Sequence, residues 1–564
     1  MEEVLTNFGG RFDATFVRGT LRTNSIEYIG VAAFDSGLFN MLREGMLLAV
    51  KNFKETYSIL VLNRFWPEHM GIQTLRDESM AYDFEAAILE DIRRSWENGK
   101  ATKFIALRMI PAGYSFDPET MHVEKRIDHP KPGEKILALT DKALKNMFNR
   151  PILQRYGENQ QHIGSLIIYE GVNAPIYIDY RKLLRYHYGI FGFTGTGKSN
   201  LTALLIHRMY HSMPDVGIVV FDITGEYSFL LADLLAKEPK SEILAYDYPE
   251  SAEELAATLI TPIDYDESSI RRRIAEKIYP KYRRMARGLT YFDLIQEAET
   301  KGERYRLIVY RIRNAVRRFL AEKELPEEAL ITPEDFRELK PKLEEVLSPV
   351  SDRSAIKSLP DQVEAVLMEE ERTERDEVIH EHLRKILRGE MRILLVQASE
   401  DVVMRQVVTS ACKYALDWKK RHISETTPTL FVLDEAHEYV SAKTETTYGD
   451  YSRQASEKVE NTLRHGRKYG LGICLSSQRV SYLNTSALQQ LHTYFVGPMP
   501  RKHDRDRIVE AFAISDDILS RTLELNPGEW LLTSYVATGL RNVPIFFKAE
   551  NVEDIVVKNL DGTA

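Results

Sequence analysis

Gly192-Phe193-Thr194-Gly195-Thr196-Gly197-Lys198-Ser199 follows the apolar run Tyr188-Gly189-Ile190-Phe191 and precedes Asn200-Leu201-Thr202-Ala203-Leu204-Leu205-Ile206, which reads as the start of a helix. This is the pattern G-x-x-x-x-G-K-[ST] in the strand–loop–helix setting it requires. The glycines let the backbone curl so that successive N–H groups point at phosphate oxygens, and a helix N-terminus adds partial positive charge. The candidate nucleotide contacts are Gly192, Thr194, Gly195, Thr196, Gly197, Lys198, Ser199 and Asn200. Lys198 would reach the β- and γ-phosphates of ATP, and the Ser199 hydroxyl would join the shell of Mg2+.

A second group of chemistry-bearing residues lies far downstream. Thr429-Leu430-Phe431-Val432-Leu433 is an apolar strand that ends in Asp434-Glu435. Asp434 fits a residue that supports Mg2+, and Glu435 stands where a general base could polarise the attacking water. Adjacent carboxylates at a strand tip are costly unless a cation or polar surroundings compensate them. The strand Leu471 to Ser477 ends in Gln478-Arg479, where Gln478 could sense the γ-phosphate. The adjacent glutamate separates the chain from kinases and GTPases and groups it with motor-type ATPases. Between these strands, Arg464-His465-Gly466-Arg467-Lys468-Tyr469-Gly470 is a basic turn. It reads either as a solvated helix end or as an arginine finger acting across a subunit boundary. Arg479 and Arg185 are further candidates for that role.

The elements that must position these residues follow from pattern. Val/Ile/Phe/Tyr-rich stretches at Ala14 to Leu21, Tyr28 to Ala33, Met46 to Val50 and Tyr57 to Val61 predict short strands of a barrel or sandwich. A helical segment, Tyr82 to Trp96, and a strand, Lys103 to Ile110, complete an N-terminal unit ending near residue 150. Residues 151–250 and 389–564 carry an alternating α/β pattern, while 251–388 reads as almost wholly helical. The helical block is an insertion into one α/β domain.

Composition bounds the rest. The 564 residues include 75 Lys+Arg and 84 Asp+Glu, a net charge of −9, so any nucleic-acid surface must be local. Residues 271–318 hold 15 Lys+Arg and 5 Asp+Glu, which could grip phosphates or could be a solvated surface balanced by acidic stretches nearby. Two cysteines, Cys412 and Cys474, make neither a disulfide framework nor a Cys-based zinc site. His207 and His211 lie four apart without a Glu in the metalloprotease pattern, and no structural metal is expected. The opening Met1-Glu2-Glu3-Val4 lacks a signal peptide's basic start, and no apolar run reaches the ~18 residues of a membrane span. A cytoplasmic protein with no membrane association is the expectation.

Taken together, these motifs resemble those of the HerA-type hexameric DNA translocases, relatives of the FtsK motors. His187 with Gly192 to Ser199 is similar to the opening motif, and Asp222-Ile223-Thr224-Gly225-Glu226-Tyr227 to the D-x-x-G-E-Y element. Asp434-Glu435-Ala436-His437 resembles the family's Walker B motif, Gly466-Arg467-Lys468-Tyr469-Gly470 its arginine motif, and Ser477-Gln478-Arg479 its sensor. Leu525-Asn526-Pro527-Gly528-Glu529 and Val543-Pro544 are similar to its closing strands. Two departures stand out: Val480 occupies the position of a usual Pro, and Ser441 to Ser456 is long and polar.

The resemblance implies an α/β fold with a RecA-like P-loop ATPase core of the additional-strand, catalytic-glutamate type, an N-terminal HAS-barrel-like β-barrel over 1–150 and a helical-bundle insertion over 251–388. It implies a homohexameric ring with double-stranded DNA in the pore, contacted through the backbone by core loops such as Lys443 to Arg453, and makes Arg467 the preferred trans-acting finger. It further implies a NurA-type partner nuclease in DNA end processing, or another effector in phage defence. Two other readings remain: an ATP-gated scaffold that regulates an effector nuclease, and a protein-remodelling ATPase.

Overall fold

The computed structural model describes residues 3–561 apart from 9, 23–24, 70–88, 91, 95–102, 158–159, 169–173, 286–288, 302–304, 324, 328, 330, 332, 352–353, 355, 372–374, 442–448 and 513. Most of the Tyr82 to Trp96 segment and the Lys443 to Tyr448 part of the polar loop lie outside the described residues. The chain forms two compact units. One comprises Met1–Pro214, Ser477–Ser481 and Leu491–Val552, and the other Asp215–Ser476, Tyr482–Gln490 and Glu553–Ala564.

In the first unit, antiparallel strands pair in the order Lys135–Leu139, Ala14–Arg22, Ser25–Ala33, Lys103–Asp117, Tyr57–His69 and Leu47–Lys51. Leu47–Lys51 pairs again with Lys135–Leu139, which closes the sheet and leaves these strands no free edge. Leu48, Leu60, Leu62, Leu107 and Ile136 fill its interior. Gly30 permits the close approach of Ile136, whose Cδ1 would lie 2.3 Å from a Cβ there. The helix Asp141–Tyr156 follows and crosses residue 150 without a break, despite Pro151.

A second sheet of this unit runs Pro175–Tyr177, His162–Leu166, Ile545–Ala549, Glu529–Ser534, Thr493–Val496 and Tyr188–Phe191. Its pairs are antiparallel except the last, in which Tyr188–Phe191 lies parallel to Thr493–Val496. A fully buried run suits a strand covered on both faces, and Tyr188, Ile190 and Phe191 are all buried.

The second unit is built on a parallel sheet in the order Leu471–Ser477, Thr429–Leu433, Gly217–Asp222, Ile393–Gln397, Ser241–Ala245 and Tyr282–Arg284. Helices fill most of 252–387 and carry an apolar core of their own, with Tyr291, Leu294, Ile312, Phe319, Leu339, Leu343 and Leu359 at its centre. The strand Tyr282–Arg284 interrupts a block expected to be almost wholly helical. Three residues are too few to show alternation, and this strand is held by main-chain pairing to Ser241–Ala245. Among the described residues, no helix is long and apolar enough to cross a membrane.

Candidate nucleotide-binding and hydrolysis site

In the first unit the phosphate loop leaves the buried strand Tyr188–Phe191 and enters the helix Lys198–Ser212. Gly195 and Gly197 adopt φ of 81° and 90°, in the left-handed region that a Cβ disfavours. At Gly192 a Cβ would meet the Thr196 hydroxyl at 2.7 Å. That hydroxyl donates to the Phe193 carbonyl at 2.8 Å and draws the loop into a tight curl. Gly197 is the N-cap, and no side chain caps the helix. The first N–H groups therefore keep their capacity for an anion, which the helix end also favours electrostatically. Lys198 is buried, and Ser199 is intermediate in exposure.

Two segments brace this loop from within the same unit. The Gly528 N–H donates to the Thr196 carbonyl at 3.1 Å, so the Asn526 to Glu529 turn lies directly on the loop. The Thr194 hydroxyl donates to the Gln478 side-chain oxygen at 2.5 Å. Thr194, Gln478, Arg479, Arg501 and Asp504 line one pocket together with Phe193, Met499 and Pro500. Arg479 is exposed, and Val480 is buried. Asn200 turns to the end of the unit, where its amide bonds Asn551 at 2.5 Å and accepts from the Val552 N–H at 3.1 Å. His187 holds a φ of 56° immediately before the strand.

In the second unit the buried strands Gly217–Asp222 and Thr429–Leu433 lie side by side and deliver Asp222 and Asp434 to their carboxyl ends. Asp222 is a hub. One oxygen accepts from the Gly225 N–H at 2.7 Å and the Thr224 hydroxyl at 3.1 Å, and the other from the Tyr227 N–H at 3.1 Å and Gln397 at 3.0 Å. Gly225, with φ of 82°, completes the turn. The D-x-x-G-E-Y spacing is thus the geometry of a carboxylate folding its own following loop. Burial raises the pKa of Asp222, against the pull of these donors.

Asp434 is buried, and its pKa is pushed up to about 7, first by burial and then by the neighbouring charges of Asp222 and Glu435. Among the described residues its anion is poorly compensated, with the Thr224 hydroxyl donating to it at 3.4 Å. A hard divalent cation with oxygen ligands suits such a group, and Mg2+ commonly binds through one or two carboxylates plus phosphate oxygens. That mode needs no cluster of several acidic or histidine ligands, and none occurs among the described residues.

Glu435 has a left-handed backbone, φ 45° and ψ 51°, unusual for a residue with a side chain and a form of strain that collects at functional sites. Its carboxylate meets His437 Nδ1 at 3.3 Å, and His437 Nε2 meets Glu438 at 3.2 Å. Glu438 in turn pairs with the guanidinium of Arg405, which is 2% exposed and also donates to the Glu438 carbonyl at 3.0 Å. Burial opposes a charge on His437, but its bonds to Glu435 and Glu438 raise its pKa to about 9. The His437 bond lowers Glu438 to about 2, with burial opposing and Arg405 assisting. This line of charges ends on the helix Asp401–Arg421. Sequence reasoning placed Glu435 but not its supports, because Arg405 lies on a different element, far from it in the chain.

Arg467 is exposed in the turn Gly466–Tyr469 that closes the helix Gly449–His465, and its neighbour Arg464 is paired with Glu460. Gly466 is required there, since a Cβ would come within 2.6 Å of the Leu471 carbonyl.

Residues 161–413 match the family described as "Helicase HerA, central domain", a span that includes the phosphate loop and the Asp222 hub and stops short of Asp434. A probable helicase of Methanocaldococcus jannaschii is 25% identical over 416 residues, covering 72% of this chain and 68% of that protein. The DNA double-strand break repair helicase HerA of Saccharolobus solfataricus is 24% identical over 398 residues, covering 70% and 68%. Among solved structures, VirB4 of Thermoanaerobacter pseudethanolicus aligns at 14% identity over 70% of this chain and 96% of that one, with a TM-score of 0.36. The phosphate loop, the carboxylates at the strand ends and the matched central domain make the chain similar to the HerA-type P-loop ATPases.

Proposed function

We propose that the protein is an ATP-driven translocase or helicase on double-stranded DNA that works as a homohexameric ring with a partner nuclease, of the NurA type or another effector, in DNA end processing or phage defence. The observation that carries the hydrolytic half of this reading is the Asp434–Glu435 pair, with Asp434 buried and Glu435 in a strained backbone and backed by His437, Glu438 and Arg405. The DNA half follows the names of the relatives, which are DNA repair helicases.

In this reading the phosphate loop and the Asp434–Glu435 pair both serve ATP hydrolysis. Backbone N–H groups from Gly195 to Ser199 and the Lys198 ammonium bind the β- and γ-phosphates. Thr194 and Asn200 hold the loop through Gln478 and Asn551. Ser199 and Asp434 are the residues that would hold Mg2+, which would supply charge neutralisation at the phosphates. Glu435 accepts a proton from the water that attacks the γ-phosphorus, and ADP leaves with the bridging oxygen. His437 fixes the rotamer of Glu435 and is itself fixed by Glu438. Gln478 senses the γ-phosphate, and Arg467 enters from a neighbouring copy, with Arg479 as the alternative finger.

In this reading the second unit's parallel sheet and the strand Tyr188–Phe191 belong to the RecA-like core, 151–250 and 389–564. The closed N-terminal sheet is the ring's collar, and 251–388 is an inserted bundle. Leu21 on the closed sheet, and Phe53 and Ile127 in segments that connect its strands, are 83%, 70% and 58% exposed. Apolar exposure of this kind suits a docking surface and favours a second reading, in which the ring chiefly assembles and gates the nuclease. Displacement of a third strand from linear duplex DNA tests the first reading. The wild type should displace it with ATP and Glu435→Gln should not. Nuclease activity that survives Glu435→Gln in the assembled complex would favour the scaffold instead.

A further inference from the structure

The structure sorts the basic block 271–318 into two kinds of cation. The Arg271-Arg272-Arg273 run is neutralised by Asp266, Glu276 and Asp561. Arg313 and Arg317 pair with Glu299 and Glu327. Arg306, Arg311 and Arg318 are exposed and have no acidic partner among the described residues. All three stand on one helix, Arg306–Lys323, whose buried side is Ile308, Ile312, Val316, Phe319 and Leu320.

At 3.6 residues per turn, the face opposite that apolar side carries Leu307, Tyr310, Arg311, Asn314 and Arg318, with Arg306 at its border. Leu307 is 64% exposed and Tyr310 62%. No Asp or Glu occurs from Tyr305 to Ala321. A protein-binding face is depleted of charge at its centre, whereas nucleic-acid interfaces are strongly positive. Uncompensated guanidiniums interleaved with a phenol favour the second. From Arg306 to Arg318 the helix rises about 18 Å, and a DNA strand presents one phosphate per about 3.4 Å of axis. Three long side chains over that distance can each reach a different phosphate.

We infer that the exposed face of the helix Arg306–Lys323 is a binding surface for the DNA backbone, supplied by the helical segment in addition to the ATPase core, with Arg306, Arg311 and Arg318 as phosphate contacts and Tyr310 packing beside them. The inference rests on the reading of the chain as a DNA-acting enzyme. Its contacts are to phosphates and carry no sequence preference.

The test is binding of fluorescent linear duplex DNA to the full chain over a KCl series, with hydrolysis in the absence of DNA as the check on folding. For the triple variant Arg306→Gln, Arg311→Gln, Arg318→Gln, the slope of log K against log salt should be shallower by about 3 × 0.9. Binding should weaken for every sequence tried, and DNA-free hydrolysis should be unchanged. Each single variant should remove about one unit of slope, so the test survives failure of the triple variant to fold. An unchanged slope and affinity would overturn the inference. So would altered assembly of the chain with DNA binding intact, which would make this face a contact between copies. If the wild type itself binds no duplex at any salt, it is the DNA reading that fails, and this inference falls with it.

Discussion

The phosphate loop and the Asp434 to Glu438 turn are built by opposite physical means. The loop acts through its backbone: glycines at φ of 81° and 90° and an uncapped helix end present N–H donors, and few side chains intervene. The turn acts through side chains: half-buried charges in series, each holding the next, with the buried Arg405 as the far anchor. A backbone device depends on which residues lack a Cβ. A charge network depends on pairing, and in low dielectric it fails when one member is removed. Substitutions should therefore injure the two regions differently, in binding at the loop and in turnover and stability at the turn.

The largest effect is expected at Glu435. Glu435→Gln should lower kcat by about 10²–10⁴-fold, the range for loss of a general base, while ATP affinity measured by calorimetry stays close to wild type. Next comes Arg405→Met. Removing one partner of a buried ion pair costs about 3–5 kcal/mol, and Glu438 would keep a charge with His437 as its remaining support. A denaturant titration should show that loss, together with a fall in kcat that Arg405→Lys restores only in part, because an ammonium cannot bond both the Glu438 carboxylate and its carbonyl in the same fork.

His437 gives the comparison a pH dependence. Its folded pKa of about 9 lies above the unfolded value, so its contribution is fully present below about pH 6.5 and is lost as pH rises through 9. Glu438, lowered to about 2, contributes above its unfolded value and loses that contribution only as pH falls toward 2. The stability gap between wild type and His437→Gln, about 1.5–3 kcal/mol for hydrogen bonds to a charged group, should be flat from pH 5 to 6.5 and close toward pH 9. A gap that stayed constant to pH 9 would show that His437 is not held charged. The smallest effects belong to the loop. Gly197→Ala should cost about 1–2 kcal/mol for an L-residue in the left-handed region, read as weaker nucleotide binding with kcat little changed. Thr194→Val should cost about 0.5–1.5 kcal/mol and loosen Gln478.

The same contrast explains what the sequence made legible. Gly192 to Ser199 could be read directly, because a tight turn leaves its requirement for glycine in the residue types themselves. The strands Tyr188–Phe191, Thr429–Leu433 and Leu471–Ser477 were legible as apolar runs with turn residues after them. Glu435 was legible as a position, but its left-handed backbone and its link through His437 to Arg405 were not, since nothing local marks an arginine on another helix as its anchor. The basic block was visible as a count. Only the fold separates the neutralised Arg271 to Arg273 from Arg306, Arg311 and Arg318, which have no acidic partner among the described residues. The strand Tyr282–Arg284 was missed because its residue types carry no strand signal, its place being set by the neighbouring main chain.

Steady-state ATP hydrolysis with and without linear duplex DNA, over a salt series and with Lys198→Ala as the blank, tests the central claim most directly. The account predicts hydrolysis that duplex DNA stimulates several-fold, with the stimulation fading as salt rises and absent in Lys198→Ala. Hydrolysis that duplex DNA leaves unchanged at every salt concentration would contradict it.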